Sequence, residues 1–390
     1  MIKRILAIFV FLVLTLAAYN QNIRVGLFHN FQIKTLVFKP LKGSFFLEND
    51  QGFKEKIKGS DVIYITLVGK QLSVWGIEKH MGLSQSLKIT PKKEGSLFSL
   101  EPAFPALPKR RYEGKLEIDI HPDNKLSIIN EVEFEHYVAA VVEAESGTRA
   151  LKELYKSQAI ISRTYALNHI DRHENENYNL CDDVHCQVYK GVRTQNAKIA
   201  AAVIETKGVV ITDMNMQLIT AAFHSNSGGY TINSEDVWTA AMPYLRGKKD
   251  PYWSDLHNSE WTDTIKMDEW LEFLDHIGVR LPSNYDPKKL FAFKQNTRVR
   301  NAVIANQNVP LKNMRTHFKL RSTFFSMYPE NDKIILKGRG YGHGVGLAQE
   351  GAMKMAKAGK TFSEIINFYY HNVQLINIDS TTYLTRLLNE

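Results

Sequence analysis

The hydrophobic pattern of this chain changes period near Phe134, and that change constrains the fold more than any other feature. Before it, apolar and polar residues alternate as in strands. Asn22 to Phe28 reads as an opening strand, followed by Thr35 to Phe38, Asp61 to Val68 and Gln71 to Trp75, with Gly, Lys and Asn breaking the runs. Pro102, Pro105 and Pro108, then Lys109-Arg110-Arg111, mark a connection. Leu116 to Ile120 and Leu126 to Ile129 alternate like a hairpin, with Pro122-Asp-Asn124 as its turn. From Phe134 onward helical spacing takes over. The expected fold is α+β: a mixed helix/strand core over residues 111–390, preceded by a β-rich N-terminal part over residues 21–110.

Placing residues at 100° per step shows what the first helix offers. Phe134, Tyr137, Val138, Val141 and Val142 form one apolar stripe. Glu145 falls within the stripe, and Glu143 falls on the opposite, solvent-facing side. The second helix spans about Ala150 to His169 and buries Leu151, Leu154, Tyr155, Ala159, Ile161, Tyr165 and Ala166. Gln158 and Ser162 lie inside that buried face, so they satisfy core backbone or line a cavity beside Glu145.

Farther along, an apparent strand, Ile219 to Phe223, empties into the polar loop His224-Ser-Asn-Ser-Gly-Gly229, and Asn233-Ser-Glu-Asp-Val-Trp238 follows. Residues 255–330 show no dominant period. Lys333 to Leu336 reads as a strand, after which glycine alternates at 338, 340, 342, 344 and 346. In an extended chain those glycines would share one face, with Arg339, Tyr341, His343 and Val345 on the other. A short helix over Leu347 to Ala358 ends at Gly359.

The N-terminus reads as a secretory signal over residues 1–20. Lys3 and Arg4 precede an apolar run, Ile5 to Ala18, shorter than the roughly 20 residues of a membrane span, and Ala17-Ala18 leads into polar sequence. Cleavage is the expectation, and an uncleaved signal would be the only membrane contact. The body of the protein is then exported, to the periplasm or cell envelope. The formal charge of +8 falls to +6 without Lys3 and Arg4, which suits an anionic polymer outside the cell. No nucleic-acid module is present in the sequence. The only cysteines are Cys181 and Cys186, within Leu180-Cys-Asp-Asp-Val-His-Cys-Gln187. Zinc held by Cys181, His185 and Cys186, completed by His173 or His169, and a local disulfide are both open readings; free thiols fit an oxidising compartment least.

Five segments in this order carry a family resemblance. They are Glu135-His-Tyr-Val-Ala-Ala-Val-Val-Glu-Ala-Glu145, Lys156-Ser-Gln-Ala-Ile-Ile-Ser-Arg-Thr-Tyr-Ala-Leu167, Cys186-Gln-Val-Tyr-Lys-Gly191, Phe223-His-Ser-Asn-Ser-Gly-Gly229 and Gly340-Tyr-Gly-His-Gly-Val-Gly-Leu-Ala-Gln-Glu-Gly351. Over residues 112–375 the chain resembles the SpoIID/LytB family, named for the stage II sporulation protein D. The resemblance implies a lytic transglycosylase that cleaves peptidoglycan strands between N-acetylmuramic acid and N-acetylglucosamine. It also implies preference for strands stripped of stem peptides by an amidase, and zinc near the cysteine segment. The family includes modifiers of wall amidases, so a non-catalytic, wall-binding enhancer of an amidase is the alternative. One departure is visible: the family often reads Glu-Met-Pro where this chain has Glu145-Ser-Gly147.

The chemistry singles out Glu145. A glycosidic oxygen leaves only once protonated, and a carboxyl desolvated on an apolar stripe stays protonated to higher pH. In a lytic transglycosylase the same residue then takes the proton of the sugar's own C6 hydroxyl, so no second carboxylate and no cofactor is required. Gln158, His224, Ser225, Ser227, His343 and Gln349 are the candidate sugar-binding residues. The adjacent pair His224-Ser225 does not make a hydrolase, since no G-x-S-x-G elbow accompanies it.

Overall fold

The computed structural model describes residues 22–192 and 196–378. It is α+β with several sheets. The expected signal and cleavage point lie outside the described residues. No described helix is long and apolar enough to cross a membrane.

Two antiparallel-rich sheets build the N-terminal part. The first runs, edge to edge, Leu180–Cys181, Asn22–Gly26, Lys125–Glu133, Lys115–His121, Ser86–Pro91, Phe45–Asn49, Lys54–Ile57. The second runs Arg110–Glu113, Leu97–Phe104, Thr35–Lys42, Ile63–Val68, Gln71–Trp75, His80–Ser84. The hairpin is Lys115–His121 with Lys125–Glu133, and Asn124 turns it at φ +56°. Strands alternate buried and exposed positions, as in Ile63–Val68, and their buried faces meet in one core, where Phe38 stacks on Phe98 and Phe45 meets both edge-on.

That core continues into the helices. Strand Lys125–Glu133 passes directly into α1 (Phe134–Ser146), and the Glu133 carboxylate caps it by accepting from the His136 N–H at 2.8 Å. Helix α2 (Lys152–Asn168) is buried at every position from Ser157 to Thr164, because α1, α3 (Ala197–Glu205) and strand Val209–Asp213 pack around it. Leu151, expected in its buried face, is instead its exposed N-cap. The Arg163 guanidinium, fully buried on α2, grips both oxygens of Glu135 on α1 at 2.9 and 2.6 Å and donates to the Val209 carbonyl at 2.9 Å.

Glu143 corrects the sequence reading. It is buried, 4% exposed, where solvent was expected. The amphipathic projection assumes one covered face, but α3 lies on the other side of α1, and Glu143 lines the 290 Å³ hollow between them with His136, Asn196 and Ala200.

A second core lies within residues 255–340, of which 255–330 show no dominant period in the sequence. Strand Glu260–Lys266 pairs with Lys333–Arg339, which pairs with Phe325–Glu330. Helices α4 (Met267–His276), α5 (Pro287–Leu290) and α6 (Leu311–His317) and the hairpin Asn301–Ile304/Gln307–Pro310 complete it around Trp270, Phe273, Phe291 and Met314. Two further helices, α7 (Gln349–Lys357) and α8 (Phe362–Tyr369), return to the first core, and strand Val373–Asn377 closes on Val209–Asp213.

The glycine run is the other correction. The strand stops at Arg339, and Gly340, Gly342, Gly344 and Gly346 all have positive φ, so the segment winds rather than extends. A Cβ on Gly342 would lie 2.8 Å from His224 Cβ, and one on Gly344 would lie 2.7 Å from the Arg298 guanidinium carbon. The glycines let this segment press against the His224 loop. The apparent strand Ile219–Phe223 shrinks accordingly to Phe223–His224, paired in parallel with Leu347–Ala348.

Glu135→Ala leaves the Arg163 guanidinium buried without its counter-charge. The expected cost is about 3–5 kcal/mol. Urea unfolding should show a lower midpoint at unchanged slope; a midpoint equal to wild type would show that the pair does not hold α1 to α2.

Candidate active site

Glu145 sits in the last turn of α1, part-exposed at the mouth of the helical core. Its Oε1 accepts from the Val188 N–H at 3.3 Å. Burial is the leading influence on the carboxyl and raises its pKa; the Val188 hydrogen bond and the charge of Lys190 pull the other way. No described carboxylate acts on it, and no described cation lies within ion-pair distance. The larger 570 Å³ hollow lined by His136, Ala139, Val203 and Ile204 lies on the other face of α1, so cavity size and chemistry disagree here, and the lone desolvated carboxyl is the better marker of a reaction site.

The turn after Glu145 is fixed by glycine. Gly147 has φ +67° and ψ −169°, a region closed to other residues, and proline cannot adopt that φ. The Tyr155 hydroxyl donates to the Gly147 carbonyl at 3.1 Å and accepts from the Ala150 N–H at 2.9 Å. The turn is thereby clamped onto α2.

Gln349 joins the site from the start of α7. Its amide donates to the Glu145 carbonyl at 3.5 Å and to Gln158 Oε1 at 3.3 Å. Gln158 in turn reaches Ser162 Oγ at 3.4 Å. Gln158 and Ser162 are fully buried, so they orient Gln349 and cannot themselves meet a sugar. Ser227 is also internal, donating to Asp250 at 2.7 Å. Ser225 accepts from Asn258 at 3.0 Å, and Glu350 holds Asn226 and Asn258 at 2.8 and 2.6 Å. Asn258 carried no sequence signal, because its partners come from distant segments, and Glu350 lay in the glycine-rich segment without being singled out.

His224 and His343 lie together, ring centroids 5.5 Å apart, with Trp238 5.3 Å from His343. The His224 Nδ1 is bonded to the Val345 carbonyl at 3.1 Å, and its Nε2 is buried with no described partner. Burial depresses both imidazoles, His224 strongly and His343 to about 4, with Arg315 adding to the effect on His343. Both are neutral at neutral pH. His343, Trp238 and Gln349 keep some exposure, which suits contact with a ligand.

Cys181 and Cys186 are free and buried, so the local disulfide is not formed. Their sulfurs cluster with His173 and His185, all ligand atoms within 4.8 Å. Cys186 Sγ is 3.5 Å from His173 Nε2 and 3.8 Å from His185 Nδ1, and Cys181 Sγ is 3.7 Å from His185 Nδ1. Zinc bonds of about 2.0 Å to nitrogen and 2.3 Å to sulfur, at a tetrahedral angle, give an N···S edge of about 3.6 Å. The donor set therefore fits zinc. His173 completes it, whereas His169 is turned away onto the Tyr165 carbonyl at 2.9 Å. Glu176 holds the other His173 nitrogen at 2.7 Å, as an outer carboxylate does for a ligating imidazole. The hydrogen bond from Cys181 draws the Cys186 thiol down to about 7. Asp182, between the ligands, accepts from Phe28 N–H, His29 N–H and Arg110 at 2.8, 3.2 and 2.7 Å. Two residues beyond Cys186 comes Val188, the donor to Glu145.

Comparison with known proteins places this arrangement. The family model described as Stage II sporulation protein matches residues 122–212. Stage II sporulation protein D of Bacillus subtilis is 33% identical over 267 residues, 65% of this chain and 77% of that protein. The chain belongs to the stage II sporulation protein D family. The protein of the same name from Bacillus amyloliquefaciens is 31% identical over 285 residues, 69% of this chain and 81% of that one. The amidase enhancer of Bacillus subtilis is 28% identical over 274 residues, 57% of this chain and 38% of that protein. The family match runs from the hairpin through strand Val209–Asp213, so it contains Glu145, Gln158 and the Cys/His cluster, while His224, His343 and Gln349 lie beyond it.

The raised pKa of Glu145 makes its ionisation unfavourable to the fold. Below the unfolded carboxyl value both states are protonated and the penalty is absent; it grows as pH rises through that value to the raised, folded one. Glu145→Gln is therefore expected to melt above wild type at about pH 7.5, with the gap closing toward about pH 4. Paired melting curves across that range check it, and a gap independent of pH would contradict the desolvation.

Proposed function

We propose that this chain is an exported lytic transglycosylase that cuts peptidoglycan strands between N-acetylmuramic acid and N-acetylglucosamine. The observation that carries the reading is Glu145: one desolvated carboxyl, anchored by one backbone N–H, with no second carboxylate acting on it. Hydrolytic glycosidases use a pair of carboxylates. A transglycosylase needs one, because its nucleophile belongs to the substrate.

In the first step the protonated Glu145 gives its proton to the glycosidic oxygen as the bond to muramic C1 breaks. The freed N-acetylglucosamine leaves with a 4-hydroxyl, and positive charge develops at C1 and the ring oxygen. In the second step the C6 hydroxyl of the same muramic residue attacks C1 and returns its proton to the Glu145 carboxylate. The product is a 1,6-anhydro end, no water is consumed, and the enzyme is regenerated. Gln349, oriented by Gln158, supports the end of α1 with its amide N–H groups and leaves its Oε1 to accept from a sugar hydroxyl. Trp238 and His343 supply a face and a neutral polar ring.

Zinc belongs to this reading as a fastening. Bound by His173, Cys181, His185 and Cys186, it would cross-link the loop whose Val188 N–H holds Glu145; no proton passes through it. Purified protein is expected to carry about one zinc per chain. Chelation should free two titratable thiols and lower both melting temperature and turnover, and full-length protein with neither zinc nor a thermal response to chelator would remove the metal from the account.

The alternative is an enhancer of a wall amidase, favoured by the relative that carries that name. Product chemistry separates the two. Wild type is expected to release anhydro-muramic ends from amidase-stripped strands, and Glu145→Gln to bind them and release on the order of a hundredfold less, or none. Mass spectrometry of the digest decides. Wild type without product would leave the enhancer reading, and a fully active Glu145→Gln would remove Glu145 as the acid.

A further inference from the structure

The six-stranded sheet ends in three strands without a charged residue: Ile63–Val68, Gln71–Trp75 and His80–Ser84 contain no Asp, Glu, Lys or Arg. Their inward residues Ile63, Ile65, Leu72 and Val74 enter the first core. On the outward face Tyr64 and Trp75, 44% and 49% exposed, lie directly opposite each other, and Trp75 faces His80 on the edge strand. Cross-strand partners hold their Cβ atoms about 5 Å apart, so the rings are neighbours. Trp75 is pinned. Its indole N–H donates to Ser73 Oγ at 3.0 Å, Ser73 Oγ lies 3.4 Å from His80 Nε2, and the His80 ring stands 4.4 Å from the indole. Ser73 points outward by alternation yet is buried, covered by these two rings. The indole therefore lies along the sheet and turns a face to solvent.

Exposed aromatic rings held in one pose mark an interaction surface. An added β-strand suits this edge poorly: a bulge between Val74 and Trp75 breaks the ladder, and Gly82 stands at φ +109°. The charge around the strip says more. Farther in on the same face Lys39 pairs with Ser99, and Ser99 with Arg111, with both cationic residues exposed. A ligand that suits both features has apolar ring faces, hydroxyls and anionic pendant groups. Wall glycan has all three. The C–H faces of its pyranose rings stack on indole and phenol, its hydroxyls meet Thr66 and Gln71, and its pendant carboxylates match the charge of Lys39 and Arg111.

We propose that this strip is a second holding surface for wall glycan, separate from the Glu145 site, with Trp75 and Tyr64 as its stacking residues. It rests on the wall-glycan part of the reading above and not on cleavage. The sheet itself joins the two places. From the strip its strands run Gln71–Trp75, Ile63–Val68, Thr35–Lys42, Leu97–Phe104 and Arg110–Glu113. On that last strand Arg111 bridges to Gly191, three residues beyond the Val188 that holds Glu145. Four strand spacings of about 4.8 Å put Trp75 about 19 Å from that edge. A glycan held on the strip stays near the acid, which raises its effective concentration there. The N-terminal sheets thereby gain a task of their own.

The test uses full-length Glu145→Gln protein, which leaves strands uncut, and calorimetric binding. The probes are soluble wall strands, an uncharged β-1,4-linked N-acetylglucosamine hexamer and vesicles of anionic phospholipid. Adding Trp75→Ala/Tyr64→Ala is expected to weaken binding of strands and hexamer about tenfold or more, at low and at high salt, because rings carry the contact. Trp75→Phe/Tyr64→Phe keeps two rings and should stay within about threefold of the parent. Strand affinity unchanged in the alanine pair overturns the proposal, and so does equal weakening in both pairs. Vesicles bound more tightly than strands through the same two side chains would make the strip a lipid contact and overturn it. A parent dimer in sedimentation that the alanine pair dissolves would give the face to a second copy and overturn it as well. If the alanine pair behaves as expected but wild type forms no anhydro ends, the cleavage reading fails and the holding surface stands. If wild type forms them and the alanine pair binds like the parent, the holding surface alone fails.

Discussion

The placement of Glu145 depends on a buried ion pair ten residues before it. Arg163 holds Glu135 through two parallel hydrogen bonds and spends a third on the Val209 carbonyl. One guanidinium thus fixes α1, α2 and a strand from the second half of the chain in a single register. Its net contribution to stability is modest, because both charges lose water on burial. Its geometric contribution is large. A bidentate pair tolerates little rotation, and rotating α1 would carry Glu145 off the mouth of the core and away from Val188.

The other end of α1 is held by different means, none of them charged. The Tyr155 hydroxyl closes the Gly147 turn, Gln349 supports the Glu145 carbonyl, and Val188 reaches the carboxylate. The carboxyl therefore keeps its position without an ion-paired cation, while the Val188 N–H and the more distant charge of Lys190 offset part of the rise that burial causes. The loop bearing Val188 is secured twice, through the Cys/His cluster and through Asp182, which ties it to the opening strand and to Arg110. The N-terminal sheets thereby take part in shaping the candidate site.

Local signals in the sequence were legible where one surface decides the pattern. The hairpin, the start of α1 and the inward position of Glu145 follow from alternation and from the 3.6-residue period. Glu143 was misread because α1 is covered on two faces, and a projection cannot see α3 arriving sixty residues later. The glycine run looked extended because spacing carries no sign of φ; the contacts of Gly342 and Gly344 with another loop set their conformation. Gln158 shares Gln349 as a partner with the Glu145 carbonyl, and its complete burial makes it a support for Gln349. Ser227 serves Asp250 for the same reason. The second core was invisible because its short strands and helices alternate too quickly for either period to dominate.

The strand pairings also set an order of events for a chain made from its N-terminus. Among the described residues, Asn22–Gly26 pairs with Lys125–Glu133 and Leu180–Cys181, and Val209–Asp213, beyond a local bridge from Thr212 to Leu218, pairs along its length with Val373–Asn377. Until the last of these emerges, the first core has open strand edges and an exposed apolar face. Contacts so distant in sequence close slowly. A polypeptide built this way spends much of its synthesis vulnerable to mispairing, so the cell that makes it has reason to shield the nascent chain. Residues 260–339, by contrast, find their strand partners and a core of their own within the same segment.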